Sequence, residues 1–308
     1  MRTLLTGANG QLGWELRRSL ASISDVVAMD RRTCNLAQLE SLPKIIRECK
    51  PDVIVNAAAY TAVDKAEDEE ELATLVNGTA AGVMAEEARR LGALLIHYST
   101  DYVFDGAKDT PYTEDDPPNP INVYGRSKLA GDRAIGQAAT VYLILRTSWV
   151  FAARGHNFLQ TILRLARERD ELTVVTDQIG APTWACDIAD ATARIIQGAA
   201  GDRVDAKFAS GILNVTARGA TSWSGFAEAI LDHAMARQDL LRKKPNVCPI
   251  ASSEYPRPAA RPKNSRLAGE RLRERIGITL PEWQQALALC MQDDALRREL
   301  DRGYLASP

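Results

Sequence analysis

Arg2-Thr3-Leu4-Leu5-Thr6-Gly7-Ala8-Asn9-Gly10-Gln11-Leu12-Gly13 opens the chain, and Trp14-Glu15-Leu16-Arg17-Arg18-Ser19-Leu20 follows it. Residues 2 to 6 read as a short apolar strand, the glycines as a turn and the stretch after them as a helix. That order suits the pyrophosphate of a dinucleotide, because glycines let the backbone come close and a helix N-terminus presents unpaired amides and a positive dipole. Gly7, Gly10, Gln11, Leu12 and Gly13 are therefore candidate cofactor contacts. Their spacing, Gly-x-x-Gly-x-x-Gly, departs from G-x-G-x-x-G. A second apolar run, Val26-Val27-Ala28-Met29, ends at Asp30, 20 residues beyond Gly10. An acid there suits the ribose hydroxyls of NAD, whereas Arg31 or Arg32 would meet the 2′-phosphate of NADP. The spacing leaves NADPH and NADH both open.

The alternation continues. A helix-like stretch from Leu36 to Cys49 precedes the strand-like Asp52-Val53-Ile54-Val55, and a helical segment over about 72–91 precedes Ala93-Leu94-Leu95-Ile96-His97-Tyr98. Continuous apolar character marks the last of these as a buried parallel strand. Val141 to Arg146 reads as another strand, Phe158 to Arg169 and about Asp187 to Gln197 as helices, and Ile212 to Val215 as a strand returning to the first unit. Repeated strand and helix imply an α/β fold with a doubly wound parallel sheet (Rossmann) and a smaller C-terminal substrate-binding lobe. Residues 1–148 with about 185–215 would form the dinucleotide-binding domain, and about 149–184 with 216–308 the lobe.

Chemistry concentrates in Tyr124-Gly125-Arg126-Ser127-Lys128. On a helix, a spacing of four puts phenol and ammonium on one face, one turn apart. A neighbouring cation favours the phenolate, which brings a tyrosine nearer the range of a general acid or base. Ser99-Thr100-Asp101-Tyr102 arrives at the carboxyl edge of the sheet, where open α/β sheets bind ligands. His97 precedes that edge and reads as a packed strand residue. Between Arg257 and Arg275 lie seven Arg or Lys residues. Arg271, Arg273 and Arg275 read as a salt-bridged helix face, and the proline-held Arg257 and Arg261 as a pocket for a diphosphate.

Composition excludes several classes. A formal net charge of −2 on 308 residues gives no general attraction to nucleic acid or an anionic membrane surface. The five scattered cysteines fit a reducing compartment and make neither a disulfide framework nor a zinc spacing. No apolar run is long enough to span a bilayer, so the expected location is cytoplasmic, with no membrane partner.

With its Gly-x-x-Gly-x-x-Gly turn and Tyr-x-x-x-Lys pair, the chain resembles the extended short-chain dehydrogenase/reductases. His97 to Phe104, Arg146-Thr147-Ser148-Trp149-Val150, Asp177-Gln178-Ile179-Gly180-Ala181-Pro182-Thr183 and Arg261-Pro262-Lys263-Asn264-Ser265 narrow the resemblance to the dTDP-4-dehydrorhamnose reductase family. This implies reduction of the 4-keto group of dTDP-4-dehydro-L-rhamnose by NADPH or NADH, supplying rhamnose to bacterial surface polysaccharides. The resemblance implies Tyr124, Lys128 and Thr100 as catalytic residues. It puts Asn35 and Leu36 near the adenine and Ala59, Tyr60, Thr61 and Tyr98 along the cofactor. It also puts Asp101, Tyr102, Val63 and Trp149 around the dTDP-sugar. Some relatives dimerise around Mg²⁺ held by glutamates; here Glu15 is present, but Cys186 replaces one glutamate and Asp293 stands near another. A hard cation prefers oxygen ligands, so no metal site is expected, and monomer and homodimer are both allowed. Rival readings are an epimerase or dehydratase of the same superfamily that retains its NAD, and a non-catalytic regulatory subunit on the same fold.

Overall fold

In a computed structural model of the chain, residues 1–138, 141–204 and 208–305 are described. Positions 139–140, 205–207 and 306–308 of the expected domain ranges lie outside the described residues. Strands β1 (Arg2–Thr6), β2 (Asp25–Met29), β3 (Val53–Asn56), β4 (Leu94–Thr100) and β5 (Tyr142–Thr147) join the strand Gly211–Asn214 in one six-stranded sheet. All neighbours are parallel, in the order Gly211–Asn214, β5, β4, β3, β1, β2. The helices up to the second lobe are α1 (Gln11–Ala21), α2 (Leu42–Cys49), α3 (Val63–Ala66), α4 (Glu70–Thr74), α5 (Ala80–Leu91) and α6 (Val123–Ala138). Beyond them come α7 (Phe158–Glu168), α8 (Ala185–Val204) and α9 (Trp223–Met235).

The two-residue period of the strands sorts the core into layers. Leu5, Val53, Val55, Leu94 and Ile96 face one way and pack with Leu16 and Leu20 of α1 and Ile188 and Ile195 of α8. Leu4, Ile54, Leu95 and Ile144 face the other way, onto Leu42 and Ile46 of α2, Met84 of α5 and Ile135 of α6. Both faces are covered, which is why the inner strands carry no alternating polar pattern.

Two helices differ from the sequence expectation. The stretch expected to be helical from Leu36 begins its helix only at Leu42, with Pro43 in the first turn, where its missing N–H costs nothing. Residues 36 to 41 form turns instead. The segment expected as one helix over 72–91 is interrupted by a π-helical turn, Leu75–Thr79. There the buried Asn77 turns inward, and π turns of this kind often accompany functional positions.

A second core lies beyond β5. Leu159 and Leu163 of α7, Phe226 and Ile230 of α9 and Leu287 of the helix Trp283–Cys290 form it. Beside it, Asn246–Ile250 pairs in parallel with Glu171–Val175. Among the described residues no helix is long and apolar enough to cross a membrane.

Candidate active site

The turn between β1 and α1 is built so that side chains are excluded. Gly7 has φ +71°, and a Cβ on Gly13 would stand 2.0 Å from the Gly7 carbonyl oxygen. The Gly10 amide donates to that same carbonyl at 2.9 Å. Gly10 precedes α1 without a capping side chain, and no acid occupies the first turn, so the first amides are left for an anion. Gln11 Oε1 is buried with no hydrogen-bond partner among the described residues. The cradle therefore fits a dinucleotide pyrophosphate.

At the end of β2 the Asp30 carboxylate is already engaged. It accepts from the backbone amides of Arg32 and Thr33 at 2.9 and 3.1 Å and from Asn9 Nδ2 at 2.9 Å. Those amides, Thr33 first, hold its pKa below the usual carboxylate value. Arg31 and Arg32 remain exposed. Asn35 accepts from the Ala37 amide in a turn, and Leu36 is buried against Leu42 and Ile46. The adenine side expected from Leu36 is thus confined to its backbone.

Tyr124 and Lys128 share the inner face of α6. Asn122 starts the helix: its Oδ1 accepts from the Gly125 amide at 2.7 Å, and its Nδ2 donates to the Ala260 carbonyl at 2.7 Å. A Cβ on Gly125 would lie 2.1 Å from the Tyr102 carbonyl, so glycine lets α6 close on the β4 edge. The Tyr102 and Tyr124 rings then meet edge to face at 5.5 Å. Thr100 donates to Asp101 Oδ1 at 3.1 Å and accepts from the Tyr102 amide.

Burial dominates the electrostatics. It pushes Tyr124 up to about 12, with the Thr100 hydroxyl pulling the other way. Helical spacing predicts that Lys128 brings the phenol down, but the ammonium is turned to His97, 3.1 Å from its Nε2. Burial lowers Lys128 to about 8 against the attraction of Asp132. It raises Asp101 to about 6, opposed by the hydroxyls of Ser265 and Thr100. Asp132 faces the buried Arg146 at 3.4 Å and accepts from Ser99 at 2.9 Å.

Several expected positions are placed differently. Tyr98 does not line the cofactor with its side chain: its hydroxyl is bonded to Thr192 of α8 at 2.7 Å, within the core, because strand alternation turns it to the far face of the sheet. Arg261 is not an open fork for a diphosphate. Both of its terminal nitrogens close on Asp64, at 2.8 and 2.9 Å, and this pair holds Asp64 below the usual carboxylate range. Arg257 lies over the Tyr255 ring and reaches 4.0 Å from Asp64. Trp149, at φ +47°, is sandwiched between Gly180 and Trp223, whose ring stacks at 3.5 Å. It presents an edge rather than a face. Val63 begins α3 next to Asp64, Ala59 and Thr61 are exposed, and Tyr60 is half-buried.

Asn77 and Asp64 escaped sequence reasoning, and His97 reads in the sequence only as a packed strand residue. Asn77 clasps both the amide and the carbonyl of Tyr60, at 2.8 and 3.0 Å, and donates to Ser127 at 2.9 Å. Asp64 is the partner of Arg261, and His97 that of Lys128. A signal existed only for Asn77, a polar residue inside an otherwise helical stretch. Near Glu15, the Arg18 guanidinium reaches Cys186 Sγ at 3.0 Å and Asp190 at 2.8 Å. A cation already fills that corner, and burial keeps the Cys186 thiol up at about 11.

The RmlD substrate binding domain family matches residues 1–296. The chain belongs to this family. A dTDP-4-dehydrorhamnose reductase of Burkholderia thailandensis is 51% identical over 294 residues, 95% of this chain and 99% of that protein. One of Escherichia coli K12 is 44% identical over 289 residues, 92% of this chain and 95% of that protein. The solved structure of a Bacillus anthracis dTDP-4-dehydrorhamnose reductase in complex with NADP matches with a TM-score of 0.84 at 35% identity, covering 94% of this chain and 98% of that one. The family match over residues 1–296 spans the parallel sheet, the glycine turn and the second core together.

Proposed function

We infer that the protein is an NADPH-dependent reductase that converts the 4-keto group of dTDP-4-dehydro-L-rhamnose to the alcohol of dTDP-L-rhamnose. The observation that carries this reading is the hydrogen bond between Thr100 and Tyr124 at the carboxyl edge of β4, with the buried Lys128 one helical turn further along α6, in a chain half identical to a protein of that name. Bound reduced nicotinamide would supply the hydride for C4. Gly7, Gly10 and Gly13, with the first amides of α1, hold the pyrophosphate. With Asp30 occupied by its own turn, Arg31 and Arg32 favour the 2′-phosphate, hence NADPH over NADH.

On the sugar side, Tyr124 donates the proton to the C4 oxygen and Thr100 donates a hydrogen bond to it. A phenol near 12 holds its proton until that oxygen becomes anionic. Lys128 holds the nicotinamide ribose. Asp101, Tyr102, Val63 and the edge of Trp149 surround the sugar, while the Asp64–Arg261 pair and Arg257 border the diphosphate. Residues 1–148 with about 185–215 carry the cofactor, the remainder carries the sugar nucleotide, and the enzyme works in the cytoplasm.

The test is the absorbance of NADPH, and separately NADH, with purified protein and freshly generated dTDP-4-dehydro-L-rhamnose. Stoichiometric loss of the reduced signal, faster with NADPH, is the expected result. No loss beside an active control enzyme, with NAD carried through purification, would replace this reading with an epimerase.

A further inference from the structure

A chain of buried side chains runs from the sheet to the lysine. Thr6 Oγ1 on β1 bonds Asn56 Oδ1 on β3 at 2.7 Å. Asn56 Nδ2 meets His97 Nδ1 on β4 at 3.0 Å, and His97 Nε2 meets Lys128 Nζ on α6 at 3.1 Å. All four residues are essentially solvent-free. The links span three adjacent strands and the catalytic helix.

Counting protons fixes what this chain can do. A neutral imidazole has one donor and one acceptor nitrogen, and an ammonium has donors only. If Asn56 donates to Nδ1, the histidine proton lies on Nε2 and Lys128 has to accept it, which an ammonium cannot do. A half-turn of the Asn56 amide exchanges its ends without moving either contact. The amide NH₂ then donates to the Thr6 hydroxyl, the carbonyl accepts from Nδ1–H, and Nε2 offers its lone pair to the ammonium. With Lys128 charged, only this second arrangement gives both nitrogens of His97 a matching partner, a carbonyl for Nδ1–H and an ammonium for the Nε2 lone pair.

We propose that His97 is a positioning residue: held by Asn56 as its Nδ1-protonated neutral tautomer, it accepts a hydrogen bond from the Lys128 ammonium, aims it at the cofactor ribose and keeps it charged. This rests on the reductase reading for the role of Lys128, and extends it to residues behind the site. Burial and the adjacent ammonium both keep His97 neutral, well below its usual pKa. On its own helix Asp132 attracts the ammonium, and Tyr124 stands one turn before Lys128. Asp132 is itself balanced by Arg146 from β5 and by the Ser99 hydroxyl from β4. From β3 the neutral Asn56 acts only through His97. The histidine acceptor thus opposes the burial that lowers Lys128 to about 8.

The chain has three histidines, so nitrogen NMR of the whole protein resolves the tautomer directly. A neutral Nδ1–H form for His97 at pH 7 is expected, and an Nε2–H form or an imidazolium would overturn the proposal. Two variants separate positioning from packing. His97→Asn keeps a polar atom near Nδ1 but removes the acceptor for Lys128, while His97→Gln places its carbonyl near the old Nε2. The readout is NADPH affinity against pH, followed by cofactor fluorescence and independent of sugar reduction. In His97→Asn the pH at which affinity falls should drop by roughly one unit, the size of one hydrogen bond to a charged group. His97→Gln should stay near the parent. Equal shifts in both variants, or none, would refute the role of His97 even if the parent reduces the sugar. A parent that binds NADPH but reduces nothing would instead sink the reductase reading alone.

Discussion

The proton site under α6 and the arginine segment over α3 treat charge in opposite ways. Around Tyr124, Lys128, Asp101 and Asp132, burial is the largest influence and moves every one of these groups away from its charged form. Around Arg257, Arg261 and Asp64, charges stand half-exposed and meet opposite charges directly, so Asp64 is held ionised. The first region stores protonation states that a reaction can change; the second fixes geometry and leaves charge where it is. The difference teaches that exposed opposite charges fix geometry, whereas removal of water is what shifts protonation equilibria.

The sharpest way to break this contrast is Tyr124→Phe. Turnover should fall by about 10²–10⁴-fold, the usual contribution of a positioned general acid, while NADPH affinity by fluorescence titration stays near the parent value. Equal turnover would remove tyrosine as the acid. At the cofactor end, Gly13→Ala puts a methyl 2.0 Å from the Gly7 carbonyl, so the turn has to open. NADPH affinity should fall by roughly tenfold to a hundredfold, about 1.4 kcal/mol per factor of ten, and an unchanged dissociation constant would show that the turn does not bear on the pyrophosphate.

The pH profile probes the buried half of the comparison. Lys128 is depressed to about 8, so it is charged below that value and loses its proton as pH rises through it. The rate at saturating sugar and low NADPH should be flat near neutrality and then decline by about tenfold per pH unit above that point. A profile flat to pH 10 would mean that the ammonium is not needed. The smallest effect belongs to the arginine segment. Arg261→Ala should raise the sugar-nucleotide KM by about tenfold, in the range of a lost charged hydrogen bond, with little change in kcat. The double variant with Asp64→Ala should be less impaired than the sum of the singles, because the two groups neutralise each other. Additive losses would show that Arg261 acts on the substrate without regard to Asp64.

The parallel sheet was legible because its strands carry continuous apolar runs punctuated by glycine turns, a local signal. Tyr124 and Lys128 were legible because helical spacing puts them on one face. The pairing of Arg261 with Asp64, 197 residues apart, carries no local pattern, so an arginine expected to grip an anion proved already engaged. The resemblance put Trp149 near the sugar nucleotide, but no local pattern foretells the covering of its faces by Gly180 and Trp223. Tyr98 shows the same limit. The family resemblance put it along the cofactor, and the sheet's alternation turned its hydroxyl to Thr192.

By itself the sequence determined the α/β fold, the glycine turn after β1 and the shared face of Tyr124 and Lys128 on α6, because each depends on residues within a few positions of one another. The tertiary structure decided the charge states. It brought β1, β3 and β4 side by side so that Thr6, Asn56 and His97 line up behind Lys128. It also removed water from Asp101 and from Lys128, and part of it from Tyr124. Desolvation and partners from distant strands set a pKa, and neither is written in any local stretch of the chain.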